Sequence, residues 1–389
     1  MRITTLEDIT SVAGAFERAG INIELSHRKG TFTHPGRYVA TFLNMILWSM
    51  ALITYSIKNF NDVDKLVPTL LYEMQFLLTI SKSLVFLARR KQFLRLNEAL
   101  EKLAWRGNQS ERELWNHQNR RVHPITRAYD ISCRLTIGSS ALLPLLKLLY
   151  YYIWYNEVVL TLPMPGTFPY DISVPFFYIL SSFSSALVGF YCWNSATAVD
   201  GLFGWFLYNI SAHLQIMRLK LEHLLQLQAD GPQFQVDFAA FITYHKQIIS
   251  LTLELDAVYA PIIFLEVISS GIPICLLAYQ LTYLSDPSSL IFICALLSAI
   301  VLQLLLYCMG GEKIQSECEE LCKNIYLLIP WYNLPPKHCR LYLMSLMRSQ
   351  RVLALRGYFF TANHSLLVWV FRTAGSFTAM LNTLKDKQK

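Results

Sequence analysis

The chain has 389 residues, of which 53% are hydrophobic and only 16% charged, with a formal net charge of +7. Mean hydropathy is +0.33, whereas a soluble domain is usually about 45–50% apolar and about 25% charged. So thin a charged coat argues against secreted, collagen-like and disordered classes and for a membrane protein, in which seven crossings of about 20 residues each would fill over a third of the chain.

The first 37 residues mix Arg2, Arg18, Arg28 and Lys29 with Glu7, Asp8, Glu17 and Glu24. They hold no short apolar core with a small-residue cleavage site, so the first span is expected to serve as its own insertion signal. Apolar runs of spanning length follow at Tyr38–Ile57, Val67–Leu87, Leu135–Tyr155, Ile172–Ala198, Ala257–Tyr283, Ser288–Met309 and His364–Leu384. The loop after span two holds eleven Lys and Arg between Arg89 and Arg134, and the loop before span seven adds seven more from Lys313 to Arg356. The loops after spans three and five hold none. The positive-inside rule then expects a cytosolic N-terminus and an extracellular C-terminus. That is the reverse of a G-protein-coupled receptor, and neither an Asp-Arg-Tyr nor an Asn-Pro-x-x-Tyr motif is in place. Basic residues confined to loops report topology, so no nucleic-acid partner is expected.

Five of the eight cysteines lie in or beside spans and Cys318, Cys322 and Cys339 lie in the last cytosolic loop, so no external disulfide is expected. Cys318 and Cys322 are read as reduced thiols rather than a zinc site. The sequons at Asn108, Asn209 and Asn363 all fall on the expected inside and should be unused.

Leu207, Ile210, Leu214, Met217, Leu221 and Leu224 continue span four at 3-4-3-4-3 spacing. After Asp230-Gly231-Pro232 the rhythm resumes through Phe234, Phe238, Phe241, His245, Ile248, Thr252 and Leu255 into span five. Two long helices should leave the membrane and return to it, either as an ordinary hairpin or as an assembly domain, with His245 a packed residue. Leu341–Leu355 should form a short helix lying at the surface. Lys82 should snorkel beside Arg89, Arg90 and Lys91. Glu73 should reach water, Lys147 needs a partner or a wet cavity, and Arg372 should face protein or water rather than lipid. Span seven is the most polar, and Ser376, Met380 and Thr383 share one face, which suits either a pore lining or close helix packing. Tyr72, Phe76, Tyr151, Tyr155, Tyr178, Phe183 and Phe292 crowd the outer halves of spans two, three, four and six. They are either an interfacial aromatic belt or the wall of an apolar pocket. No phosphate-binding loop, nucleophile elbow or metalloprotease motif is present, so no enzyme, cofactor or metal is expected.

Several stretches in order resemble the insect odorant receptor family. Leu346-Met347-Arg348-Ser349-Gln350-Arg351 resembles its signature before span seven, with Val352 where proline is common. Arg372 to Leu381 is similar to its terminal motif, with Gly375 where an aromatic is usual. Phe168-Pro169-Tyr170-Asp171, Asp200 and Tyr307-Cys308-Met309-Gly310-Gly311 match further elements. The resemblance implies an all-α membrane protein of seven transmembrane helices with long cytosolic extensions of helices 4 and 5. It implies a cytosolic segment 1–37, helices 1–4 over 38–206, a cytosolic anchor over 207–256 and helices 5–6 over 257–309. An anchor with a re-entering helix over 310–363 and a pore-lining helix 7 over 364–389 complete it.

In function it implies an odorant-binding subunit of a heteromeric, ligand-gated, non-selective cation channel in the plasma membrane of olfactory neurons, assembled with the odorant co-receptor as a heterotetramer. The ligand would be a small volatile odorant held by Tyr72, Phe76, Tyr151, Tyr155, Tyr178, Phe183 and Phe292, with the pore lined by Ser376, Met380 and Thr383. The co-receptor's long cytosolic insertion is missing. A gustatory-receptor-like homomer is the alternative, although its Thr-Tyr-x-x-x-x-Gln-Phe ending is absent, and a G-protein-coupled receptor is a more distant one.

Overall fold

The computed structural model describes residues 5–6, 10–21, 34–227, 231–282, 287–329 and 331–386. These residues form ten α-helices: α1 (Thr10–Ala19), α2 (Pro35–Lys58), α3 (Val63–Trp105), α4 (Gln109–Arg120), α5 (Val122–Tyr155), α6 (Pro175–Leu225), α7 (Pro232–Thr282), α8 (Pro287–Leu328), α9 (Pro336–Ser349) and α10 (His364–Asp386). A two-stranded antiparallel hairpin, β1 (Arg356–Gly357) and β2 (Phe360–Thr361), precedes α10.

Local chemistry sets the ends. Proline opens α2, α6 and α9, where its missing N–H costs nothing. Asp62 caps α3 and Asn108 caps α4, each accepting a backbone N–H three residues on. Asn156 stops α5 in the left-handed region at φ 53°.

Six helices, α2, α3, α5, α6, α7 and α8, are long and apolar enough to cross a membrane. Spans one, two, three and six fall within them and the seventh falls within α10. The expected span four starts at Ile172, three residues before α6 begins, and span five ends at Tyr283, one residue beyond α7 and outside the described residues. That helix is 23 residues long and not among the six; Arg372, Thr373, Ser376 and Thr378 lower its apolarity. α6 and α7 each have 51 residues, about 76 Å at 1.5 Å per residue, more than twice a hydrocarbon core of about 30 Å. Each must therefore project well beyond a bilayer, as the continuous seam implies. Every apolar seam residue from Leu207 to Leu224 and from Phe234 to Leu255 is buried. We call the end holding the α6–α7 turn the lower end and that holding the α5–α6 connection the upper end.

α7 is the central element: 56% of its most apolar stretch is buried within the subunit, against 11% for that of α5. α1 packs on α6, with Val12 against Gly201, and Val12, Ala15 and Phe16 are all fully buried, the Phe16 ring beside Phe86 of α3. At the lower end His213 is sealed between Trp115, Tyr244 and the Leu100 carbonyl. A carbonyl only accepts, so Nε2 carries the proton and Nδ1 accepts from Tyr244. Burial lowers the His213 pKa to about 4 and that of His245 likewise to about 4. His245 is thus a packed histidine, 3.4 Å from the Ser345 hydroxyl.

Three expectations need correction. Lys82 does not snorkel but is 2% exposed and ion-paired inside the bundle. Glu73 is half-buried and accepts from Ser49 at 2.5 Å. The helix expected over Leu341–Leu355 is α9, which ends at Ser349, because the chain must then turn into the hairpin. Asn209 is fully buried and donates to the Trp205 carbonyl, which excludes glycosylation of the folded chain. All eight cysteines are free, and no metal-binding cluster occurs among the described residues.

The hairpin fits because two glycines admit it. A Cβ on Gly311 would overlap the Ala362 carbonyl, and one on Gly357 would lie 2.6 Å from the Phe264 nitrogen. The base of α10 is thereby wedged against α7 and α8.

Candidate ligand-binding site

Four helices enclose a cavity of about 100 Å³ in the upper half of the bundle. Each contributes a stripe at helical spacing, so one face of each helix turns inward. α3 gives Leu71, Tyr72, Gln75 and Phe76; α5 gives Tyr129, Cys133, Thr136 and Ser140; α6 gives Ser185, Gly189 and Trp193; α8 gives Phe292, Leu296, Ile300 and Gln303. Pro163 and Met164 of the α5–α6 connection close it. That connection is tied down: Tyr178 donates to the Thr161 carbonyl at 3.2 Å, and Thr167 N–H donates to the Ala51 carbonyl.

Of the expected pocket residues, the structure brings Tyr72, Phe76 and Phe292 together on this wall, with Tyr72 and Phe292 rings stacked at 5.7 Å. Tyr178 is buried behind the wall and braces the closing segment. Tyr151, Tyr155 and Phe183 do not line the cavity; they are 37%, 61% and 63% exposed on the outer surface. Tyr151 and Tyr155 pack on one another at 5.6 Å. Their placement fits the interfacial-belt alternative, and their inclusion in a pocket is corrected. Sequence reasoning missed Gln75, Tyr129, Thr136, Trp193 and Gln303. A signal existed, since 72-75-76, 129-133-136-140 and 292-296-300-303 all keep the 3-4 rhythm.

The Trp193 side of the wall is held by charge. Its indole donates to Asp130 at 2.7 Å, Asp130 pairs with Arg134 at 2.6 Å, and the Arg18 and Arg134 guanidiniums lie over its ring at 5.2 and 4.9 Å.

Directly beside the cavity lies a buried ionic cluster. Lys82 of α3 bridges Asp200 of α6 at 2.8 Å and Glu266 of α7 at 2.6 Å, all three at most 2% exposed. Asp200 also accepts from Tyr129 at 2.9 Å, Gln303 at 2.7 Å and Tyr307 at 2.5 Å. Four donors match its roughly four lone-pair sites. Tyr129 and Gln303 thus belong to both the cavity wall and the cluster. Glu266 carries the connection onto α7, against which α10 packs.

On α10, Ser376, Met380 and Thr383 are all exposed in the single subunit, as is Arg372. Met380 also borders an apolar groove of about 450 Å³ between α7 and α10. The structure places the three expected pore residues on one outward face.

The model of the family described as 7tm Odorant receptor matches residues 62–375. The chain is 29% identical over 359 residues to Odorant receptor 45a of Drosophila melanogaster, covering 90% of this chain and 92% of that one. It is 27% identical over 361 residues to Odorant receptor 82a of the same fly, with the same coverage. The fold is similar to that of the olfactory receptor OR5 from Machilis hrabei, solved in complex with eugenol. The TM-score is 0.80 at 15% identity, over 97% of this chain and 98% of that one. A family match over most of the chain, relatives that are all receptors and a shared fold lead to one conclusion: this protein is a multi-pass membrane protein that belongs to the insect odorant receptor family.

Proposed function

We propose that the chain is the odorant-binding subunit of a heteromeric, ligand-gated, non-selective cation channel, assembled with the odorant co-receptor and opened by a small volatile ligand. It works in the plasma membrane of the olfactory neuron dendrite, with residues 1–37 and the lower end in the cytosol and the C-terminus outside. The asymmetry of Lys and Arg between loops supports that orientation. The buried seams over 207–256 and the segment over 310–363 serve as the anchor, and helix 364–389 serves as the pore lining.

One observation carries the reading. The cavity wall and the buried ion cluster share Tyr129 and Gln303, and the cluster's Glu266 sits on α7 behind α10. A ligand that favours one arrangement of this wall biases the α7–α10 arrangement by its differential affinity for the two. Ser376, Met380 and Thr383 then face the ion path around the assembly axis, consistent with their exposure in a lone subunit.

The test is ligand-evoked current in a heterologous cell, with and without the co-receptor, over a broad volatile panel. Current only with both chains is expected. Current from this chain alone would establish a homomer of the gustatory type, and silence in both conditions would reject the channel reading.

A further inference from the structure

The cavity's polar groups can be counted hydrogen by hydrogen. Tyr72 donates to the Pro163 carbonyl at 3.1 Å, which leaves the Ser140 hydroxyl as donor in their 3.3 Å contact. Thr136 donates to the Ser132 carbonyl at 3.0 Å and Ser185 to the Ser182 carbonyl at 2.8 Å. Trp193 donates to Asp130 and Tyr129 to Asp200. The Gln303 amide nitrogen is engaged with Asp200. Every hydroxyl and indole hydrogen of the wall is therefore spent inside the protein, so the hydroxyls offer a ligand only lone pairs, and Gln303 has one of its two amide hydrogens held by Asp200.

Gln75 is different. It is half-buried on the α3 face beside Tyr72 and Phe76, and its amide makes no hydrogen bond among the described residues. It also borders the small cavity next door that Glu266 faces. An amide left unpaired in so apolar a space gains from any ligand that satisfies it and loses with any that does not.

We infer that Gln75 determines ligand class, by donating its amide hydrogens to the carbonyl oxygen of a small neutral ketone, aldehyde or ester whose hydrocarbon part fills the rest of the cavity. This rests on the odorant-channel reading. An alcohol is less dependent on Gln75, because it can donate to the lone pairs of Thr136 or Ser185. A hydrocarbon is indifferent to it. The volume of about 100 Å³, against about 150 Å³ for a dry cavity that binds benzene, calls for a ligand about the size of a six-carbon molecule or smaller.

The experiment compares hexane, 1-hexanol and 2-hexanone on the full chain co-expressed with the co-receptor, with currents normalised to surface level. Gln75→Leu and Gln75→Met both keep the volume and remove the donor. In each, 2-hexanone should lose about tenfold in potency relative to hexane, and 1-hexanol clearly less. The persisting hexane response reports that the variants fold. An unchanged ratio of 2-hexanone to hexane in both variants overturns the assignment of Gln75 alone. So does a wild-type channel that answers a broad volatile panel but none of the six-carbon probes. Silence to the whole panel overturns the underlying channel reading together with this inference.

Discussion

Replacing Lys82 by methionine would remove the one cation from a cluster of two buried carboxylates. Asp200 and Glu266 are 0% and 1% exposed, and Lys82 touches both within 2.8 Å. Breaking a buried pair from one side costs about 3–5 kcal/mol, because the remaining charge is left uncompensated. Here two carboxylates are stranded, so the upper part of that range applies. Against a total stability of about 5–15 kcal/mol this is a large fraction. At about 2 °C per kcal/mol for a large chain, the thermal midpoint of the detergent-solubilised protein should fall by about 8 °C or more. A variant neutral throughout, Lys82→Met with Asp200→Asn and Glu266→Gln, should recover more than half of that loss, since it strands no charge. Fluorescence-detected thermal unfolding reads both. A midpoint for Lys82→Met within about 2 °C of wild type would refute the reasoning, because it would mean that water already reaches the cluster.

Tyr151→Ala and Tyr155→Ala should leave dose–response curves unchanged, since both side chains lie outside the cavity. Phe292→Ala should instead raise the potency of bulky relative to small ligands by about tenfold. Thr383→Lys should reduce cation current without altering ligand potency, as read from current–voltage curves under ion substitution. Gly311→Ala forces a methyl into the Ala362 carbonyl and should cost about 1–3 kcal/mol, visible as a lower surface level and thermal midpoint. His213 is held at about 4 against an ordinary value of 6.5, so the folded state binds fewer protons than the unfolded one between those values. Its contribution, about 3 kcal/mol, is whole above pH 6.5 and lost as pH falls towards 4. The thermal midpoint should therefore drop between pH 7.5 and 5, and drop less in His213→Gln.

The fold was largely legible because its determinants are repetitive. A span is an apolar run, and a helix that outlasts the membrane shows as an unbroken 3-4 seam, which is why Leu207 to Leu224 and Phe234 to Leu255 could be placed in buried interfaces. The site was legible only in part. A helix apolar all round does not announce which face looks inward, so aromatic density drew Tyr151, Tyr155 and Phe183 into a pocket they do not line. Polar residues such as Gln75 and Gln303 were passed over for the same reason. Lys82 was misread because Arg89, Arg90 and Lys91 are near it in sequence, whereas its partners come from two other helices. Pairing across helices leaves no periodic trace in the chain.

The hairpin at the start of α10 has a mechanical consequence. Backbone wedged against Gly311 and Gly357 fixes one end of a 23-residue rod, whose length beyond that heel lies along α7. A rod of about 35 Å pivoting on a fixed heel is a lever, and a tilt of about 5° carries its tip about 3 Å. That is the diameter of a water molecule, obtained from a change at the pivot smaller than a single side-chain rotamer flip.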